Sequence, residues 1–204
     1  MNQNREQRLD NLAKGLQSGR VYRASELERY SNSLGRDLRL LVDTKKLRSL
    51  GKGLYVKPER LGDMELSPDS KEVVSKFLGT NRFLMRNMSD FNSFGLGLSQ
   101  MFKDTFVYNS KRSGKIKIGN REYHFVNRKF PKDHHDEFLL VDLFNNLDAV
   151  GENKEKLREN FEDAWKRRVW PLDYKKVYEL SQKYGKNWVK RYFRKLRGED
   201  GIPA

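Results

Sequence analysis

Two short runs, Leu47-Arg48-Ser49-Leu50 and Leu54-Tyr55-Val56-Lys57, are joined by Gly51-Lys52-Gly53 and stopped by Pro58. Glycine on each side of a single lysine leaves the chain few options other than a tight reversal, because the turns that match strand twist need positive φ angles. The segment predicts a two-stranded ribbon carrying Lys45, Lys46, Arg48, Lys52 and Lys57.

What precedes the ribbon narrows its context. Leu9, Leu12, Ala13 and Leu16 recur at three- and four-residue intervals within residues 5–17, one apolar helical stripe that Ser18-Gly19 ends. Val21-Tyr22 reads as a short extended element, and Ser25-Glu26-Leu27-Glu28 has the spacing of a capping box, which predicts a short second helix. Ser31-Asn32-Ser33 is turn chemistry, after which Leu34, Leu38, Leu41 and Val42 mark the buried face of a third helix running to about Asp43. Helix, helix, basic hairpin is the order of a winged helix-turn-helix, in which the third helix enters the major groove while the ribbon follows the phosphates. Arg36, Asp37, Arg39, Leu40 and Asp43 fall away from the apolar stripe. Arg36 and Arg39 are the candidate groove readers, since a guanidinium can bond guanine O6 and N7 together; Ser31 or Ser33 can bond a phosphate.

At 204 residues the chain is longer than one such module needs, so a second folded unit is expected. Hydrophobic residues make up 36% and charged residues 34%, which favours small cores under large solvated faces. The net charge of +14 is unevenly spread. Residues 1–60 carry 14 Lys and Arg against 7 Asp and Glu, residues 61–164 carry 16 against 17, and residues 165–197 carry 12 against 2. Two basic regions around a neutral middle suit surfaces that face a polyanion. No apolar run approaches a bilayer span, the first residues lack the apolar stretch of a secretory signal, and cysteine is absent, so a membrane partner is not expected and cytoplasmic residence is.

Gly62 and Pro68 within residues 61–69 read as a link, dividing a DNA-binding domain at 1–62 from a mixed domain at 70–204. Val73, Val74, Phe77 and Leu78 line a helix ending at Gly79, and Phe83-Leu84-Met85 suits a buried strand. Strands follow at 105–109, 115–118 and 121–127, the last two joined by Gly119-Asn120, which predicts a small antiparallel sheet. Helices are expected at 136–147, 154–168, 173–184 and 187–196. The expected class is therefore α+β, an N-terminal winged helix-turn-helix followed by a mixed domain with a helical C-terminal part. In its last helices, Lys186, Lys190, Arg191, Arg194 and Arg197 form a candidate second nucleic-acid contact, with Trp188, Tyr192 and Phe193 read as packing.

Catalytic chemistry has thinner support. Asp133-His134-His135-Asp136-Glu137 is the only cluster of metal-ligand types, but adjacent side chains diverge and acids commonly gather at a helix start, so no metal site is assigned. His124 lacks an obvious acid partner. A metal-dependent nuclease is the alternative reading, drawing on Asp104, Glu122, Asp136 and Asp142, two of which would have to converge on one magnesium ion. A protein–protein adaptor is a third. There is no GxxxxGK loop, and Gly95-Leu96-Gly97 lacks the context of a dinucleotide site, so neither cofactor nor enzymatic activity is expected.

Two blocks resemble a known family. Leu38-Arg39-Leu40-Leu41-Val42 running into Lys46-Leu47-Arg48-Ser49-Leu50-Gly51-Lys52-Gly53-Leu54-Tyr55-Val56-Lys57-Pro58 is similar to the helix, basic strand and Gly-x-Tyr-x-x-Pro wing of AbiEi-type antitoxins of type IV toxin-antitoxin systems. The segment 92–100, Asn-Ser-Phe-Gly-Leu-Gly-Leu-Ser-Gln, followed by Val107-Tyr108-Asn109 and Lys115-Ile116-Lys117-Ile118-Gly119, resembles that family's second block. The likeness spans roughly residues 5–130, about three fifths of the chain. Family members often have a proline soon after the glutamine, where this chain has Met101-Phe102, and beyond Pro131 the match is only that of a helical tail. The resemblance implies a transcriptional regulator that binds operator DNA, represses its own operon and counters a nucleotidyltransferase toxin encoded nearby.

Overall fold

The computed structural model describes residues 3–31, 33–96, 105–133, 136–149 and 153–200. It is a mixed α/β protein with small antiparallel sheets and C-terminal helices, and it divides into two compact units. Unit one holds residues 1–83 and 111–123; unit two holds 84–110 and 124–204.

Unit one starts with α1 (Gln3–Gly15), β1 (Val21–Arg23), α2 (Ala24–Leu27) and α3 (Leu34–Asp43). Leu9, Leu12 and Ala13 of α1, with Leu16 just after it, meet Leu27, Leu38, Leu41 and Leu47 in one buried cluster, so the apolar stripes read from the sequence are the faces that pack. The second helix begins earlier than the Ser25 capping box predicts. Glu26 rather than Glu28 closes the box, accepting from the Arg23 backbone N–H at 2.9 Å. Strands β2 (Arg48–Gly51) and β3 (Leu54–Val56) form the expected hairpin, with β3 between β1 and β2. Its two-residue turn places Lys52 at φ 55° and Gly53 at φ 72°, the doubly left-handed turn that follows strand twist.

The segment read as a link contains a second hairpin, β4 (Arg60–Leu61) and β5 (Met64–Glu65), whose Glu65 pairs with Arg48 at 2.8 Å. α4 (Ser70–Leu78) follows, capped by the Asp69 carboxylate on the Glu72 N–H, and buries Val73, Val74 and Leu78. Thus the chain on both sides of the expected boundary at residues 62–70 lies in unit one. The last carbonyls of α4 are met by cations: Arg23 donates to the carbonyls of Lys76 and Phe77, and Lys111 donates to Leu78. Arg23 thereby joins β1 to the end of α4. β8 (Gly114–Ile118) also belongs here, as do the first residues of β9 (Arg121–Asn127), turned by Gly119-Asn120.

In unit two, β6 (Leu84–Asn87) pairs antiparallel with β7 (Thr105–Asn109), Leu84 opposite Tyr108. Four helices follow: α5 (Asp136–Asn145), α6 (Lys154–Lys166), α7 (Tyr174–Tyr184) and α8 (Asn187–Asp200). α5 is covered on every side, and all its residues from Phe138 to Asn145 are buried. Phe144 sits among aromatic rings from α6 and α8, with centroids 4.5 Å to Phe161, 5.1 Å to Tyr192 and 5.5 Å to Phe193. Aromatics thus supply the volume that a chain with few aliphatic residues must find elsewhere.

Candidate nucleic-acid interface

The nine side chains predicted to meet DNA divide into two groups. Arg36 and Arg39 are exposed one turn apart on α3, whose other side buries Leu38 and Leu41. Lys45 is exposed at φ 57°, where the chain leaves α3 in a left-handed conformation. Lys52 stands exposed at the hairpin turn, and Ser33 is exposed before α3 without a cap bond from its hydroxyl. Among the described residues, none of the four cations has an acidic partner.

The other four are engaged inside the protein. The Ser31 hydroxyl donates to the Asp37 carboxylate at 2.5 Å and accepts from the Ser33 N–H, so its sequence-based role on a phosphate gives way to a structural one. Asp37 itself, expected on the solvated face, is fully buried in the first turn of α3, where a carboxylate complements the helix dipole. Three-residue spacing from Leu34 puts Asp37 beside the buried stripe, and the Ser31 bond offsets part of the desolvation of its carboxylate. Lys46 pairs with Asp10, whose pKa the ammonium holds below the usual carboxylate range. Arg48 is half-buried against Glu65, and Lys57 donates to the Leu16 carbonyl at 2.6 Å. Arg29 and Tyr30, ahead of the turn, also face solvent, and no periodicity in the sequence singles them out. The Arg29 guanidinium stacks on the Tyr30 ring, which is 43% exposed.

On α8, and at Lys186 just before it, the second basic set is likewise partly engaged. Arg194 donates to the Gln182 amide oxygen at 2.9 Å and Arg197 lies over the Tyr178 ring, while Lys190 is half-buried. Lys186 and Arg191 remain exposed. Trp188 and Tyr192 pack against the core and Phe193 is buried within it, as read from the sequence.

Among the carboxylates of the nuclease alternative, Asp104 lies outside the described residues, as do His134 and His135. Glu122 is exposed beside Lys115. Asp142 is fully buried on α5, where Asn146 donates to its Oδ1 at 3.1 Å and to the Tyr108 hydroxyl at 2.7 Å. Among the described residues, its Oδ2 has no hydrogen bond. Burial pushes the Asp142 pKa up to about 6, against the pull of the Tyr108 hydroxyl, Arg128 and Arg86. Among the described residues, no three His, Asp or Glu side chains are grouped to hold a metal ion, and no helix is long and apolar enough to cross a membrane.

Asp142 has a consequence for stability. Unfolded, it releases its proton near pH 3.8; folded, it keeps it to about pH 6. The folded state therefore binds the extra proton between those values, and stability from this group falls as pH rises through the window, with the full penalty above it. Asp142→Asn, which mimics the protonated form, is expected to match wild type near pH 4 and exceed it at about pH 7.5 by up to about 3 kcal/mol, at about 1.36 kcal/mol per pH unit. Urea unfolding at both pH values checks this; an equal offset at the two would contradict it. No family model, curated protein or solved structure matches this chain.

Proposed function

We propose that residues 3–57 act as a winged helix-turn-helix that binds duplex DNA, with α3 as the recognition helix and the β2–β3 hairpin as the wing. One observation carries the reading: Arg36, Arg39, Lys45 and Lys52 keep their charges in solvent along the stretch from α3 to the hairpin tip, while neighbouring cations are held in internal pairs. Two arginines one turn apart on an exposed helix face suit base edges, and a lysine on a hairpin tip suits a phosphate. No catalytic step is needed. The resemblance to AbiEi-type antitoxins extends the proposal to a regulator that represses its own operon and counters a nucleotidyltransferase toxin. Co-expression with a nucleotidyltransferase encoded beside the gene is expected to restore growth; continued toxicity would remove the antitoxin half while leaving DNA binding intact.

The binding test is a salt titration on duplex DNA. With about six phosphates neutralised, log affinity is expected to fall against log salt with a slope of roughly −5. Lys52→Asn separates charge from backbone, because asparagine tolerates the positive φ that lysine holds there. The variant is expected to keep the melting temperature of wild type, weaken binding to every duplex sequence, and make the slope shallower by about 1. Binding by wild type that does not respond to salt would defeat the reading.

A further inference from the structure

Two adjoining hollows in unit one meet at the hairpin tip. One, of about 440 Å³, is lined by Lys52, Phe77, Arg112, Lys115, Ile116 and Lys117. The other, of about 260 Å³, shares Lys52, Phe77 and Arg112 with it and continues past Arg23 and Lys76. Among the described residues, no Asp or Glu lines either hollow. Arg23 and Lys76 are occupied by the end of α4 and by Glu26. Arg112 lies over the Phe77 ring, while Lys115 and Lys117 are exposed, Lys115 in a solvent-screened pair with Glu122 at 3.7 Å. Like charges converging on an open hollow repel one another, and a polyanion lying across it relieves that repulsion.

We propose that this hollow seats the phosphate backbone of the duplex gripped by the wing, with β8 serving as a second backbone-contacting element. The inference rests on the duplex reading above. Lys52 ties the two together, since it is at once the tip of the hairpin and a wall of both hollows. Alternation along β8 places Lys115 and Lys117 on one face, while Ile118, on the other, is buried. The ligand is backbone rather than unstacked base. The one aromatic ring in the hollow, Phe77, lies beneath the Arg112 guanidinium, 4.9 Å from its centroid, which leaves that face unavailable for the stacking that single strands use.

The experiment measures binding of the full chain to a duplex of about three helical turns, and to a single strand of the same length, across a salt series. Lys115→Gln/Lys117→Gln is compared with wild type and with Lys156→Gln/Lys166→Gln, an equal loss of charge on α6. The hollow variant is expected to bind duplex about tenfold more weakly, or worse, at moderate salt and to make the slope shallower by about 2, at about 0.9 per phosphate contact. Its preference between duplex sequences is expected to persist, and the α6 variant is expected to bind as wild type. Unchanged duplex affinity and slope in the hollow variant, with wild type still binding, would overturn this inference and leave the wing reading intact. A loss confined to the single strand, or an equal loss in the α6 variant, would also overturn it. Failure of wild type to bind duplex at all would remove both.

Discussion

Phe144→Ala is expected to cost about 3–5 kcal/mol, the range for deleting a fully buried aromatic ring. The ring lies between α6 and α8, edge-on to Phe161 and Phe193 and stacked on Tyr192, so its removal takes contacts from three neighbours as well as its own burial. Such pairs add roughly 0.5–1.5 kcal/mol each beyond the area they bury. Little can collapse into the space, because those neighbours are themselves pinned: Phe161 stacks on Trp170, and the Tyr192 hydroxyl donates to Glu162 at 3.0 Å. The chain offers a convenient reporter. All three tryptophans, Trp165, Trp170 and Trp188, belong to unit two, so their fluorescence follows this core and not unit one. With a urea dependence near about 2 kcal/mol per molar, the tryptophan transition is expected to move down by about 2 M. A shift under about 0.5 M would show that Phe144 is not at the centre of a packed core.

Local chemistry makes much of this architecture legible. The stripe of Leu9, Leu12, Ala13 and Leu16, the glycine-flanked Lys52 and the Gly119-Asn120 turn each specify a structure within one or two turns of chain, and each forms. The same holds for Asp173, which caps α7 through the Lys176 N–H. Burial of polar groups is harder to read, because it depends on partners distant in sequence or on small register changes. Asp37 has a charged side chain in a helix rich in arginine, and its full burial together with the bond from Ser31 reveals that it points inward. The early start of α2, with Arg23 as its cap, goes with that residue's reach to α4, 53 residues on, which no capping pattern encodes. For the candidate site the consequence is direct. Charge counting groups Lys46, Arg48 and Lys57 with Lys45 and Lys52, yet Asp10, Glu65 and the Leu16 carbonyl hold the first three. Arg112, Lys115 and Lys117 are illegible for the converse reason: in sequence they belong to a remote hairpin, and folding brings them to the hollow beside Lys52.

The proposed readout turns on what Arg36 and Arg39 do that another cation cannot. Arg36→Ala with Arg39→Ala is expected to cost about 1–3 kcal/mol per residue on a duplex selected from a random pool by the wild-type chain, a combined loss of roughly thirtyfold to twenty-thousandfold at about 1.4 kcal/mol per factor of ten. Both side chains are exposed on a helix whose packing uses Leu38 and Leu41, so the fold is expected to survive with an unchanged melting temperature. Charge alone would explain part of that loss. The decisive arm is therefore Arg36→Lys with Arg39→Lys, which preserves both charges but not the planar fork that bonds two acceptors of guanine at once. This lysine-substituted chain is expected to bind random duplex as wild type does, with the same salt slope, while losing most of the preference for the selected sequence. If the alanine changes weaken selected and random DNA equally, the arginines contact only the backbone, and α3 does not read sequence. If the lysine changes leave the full preference in place, a point charge suffices and the bidentate contact is excluded. The discrimination works because phosphate contacts set affinity for every duplex alike, whereas base-edge bonds appear only in the difference between two sequences.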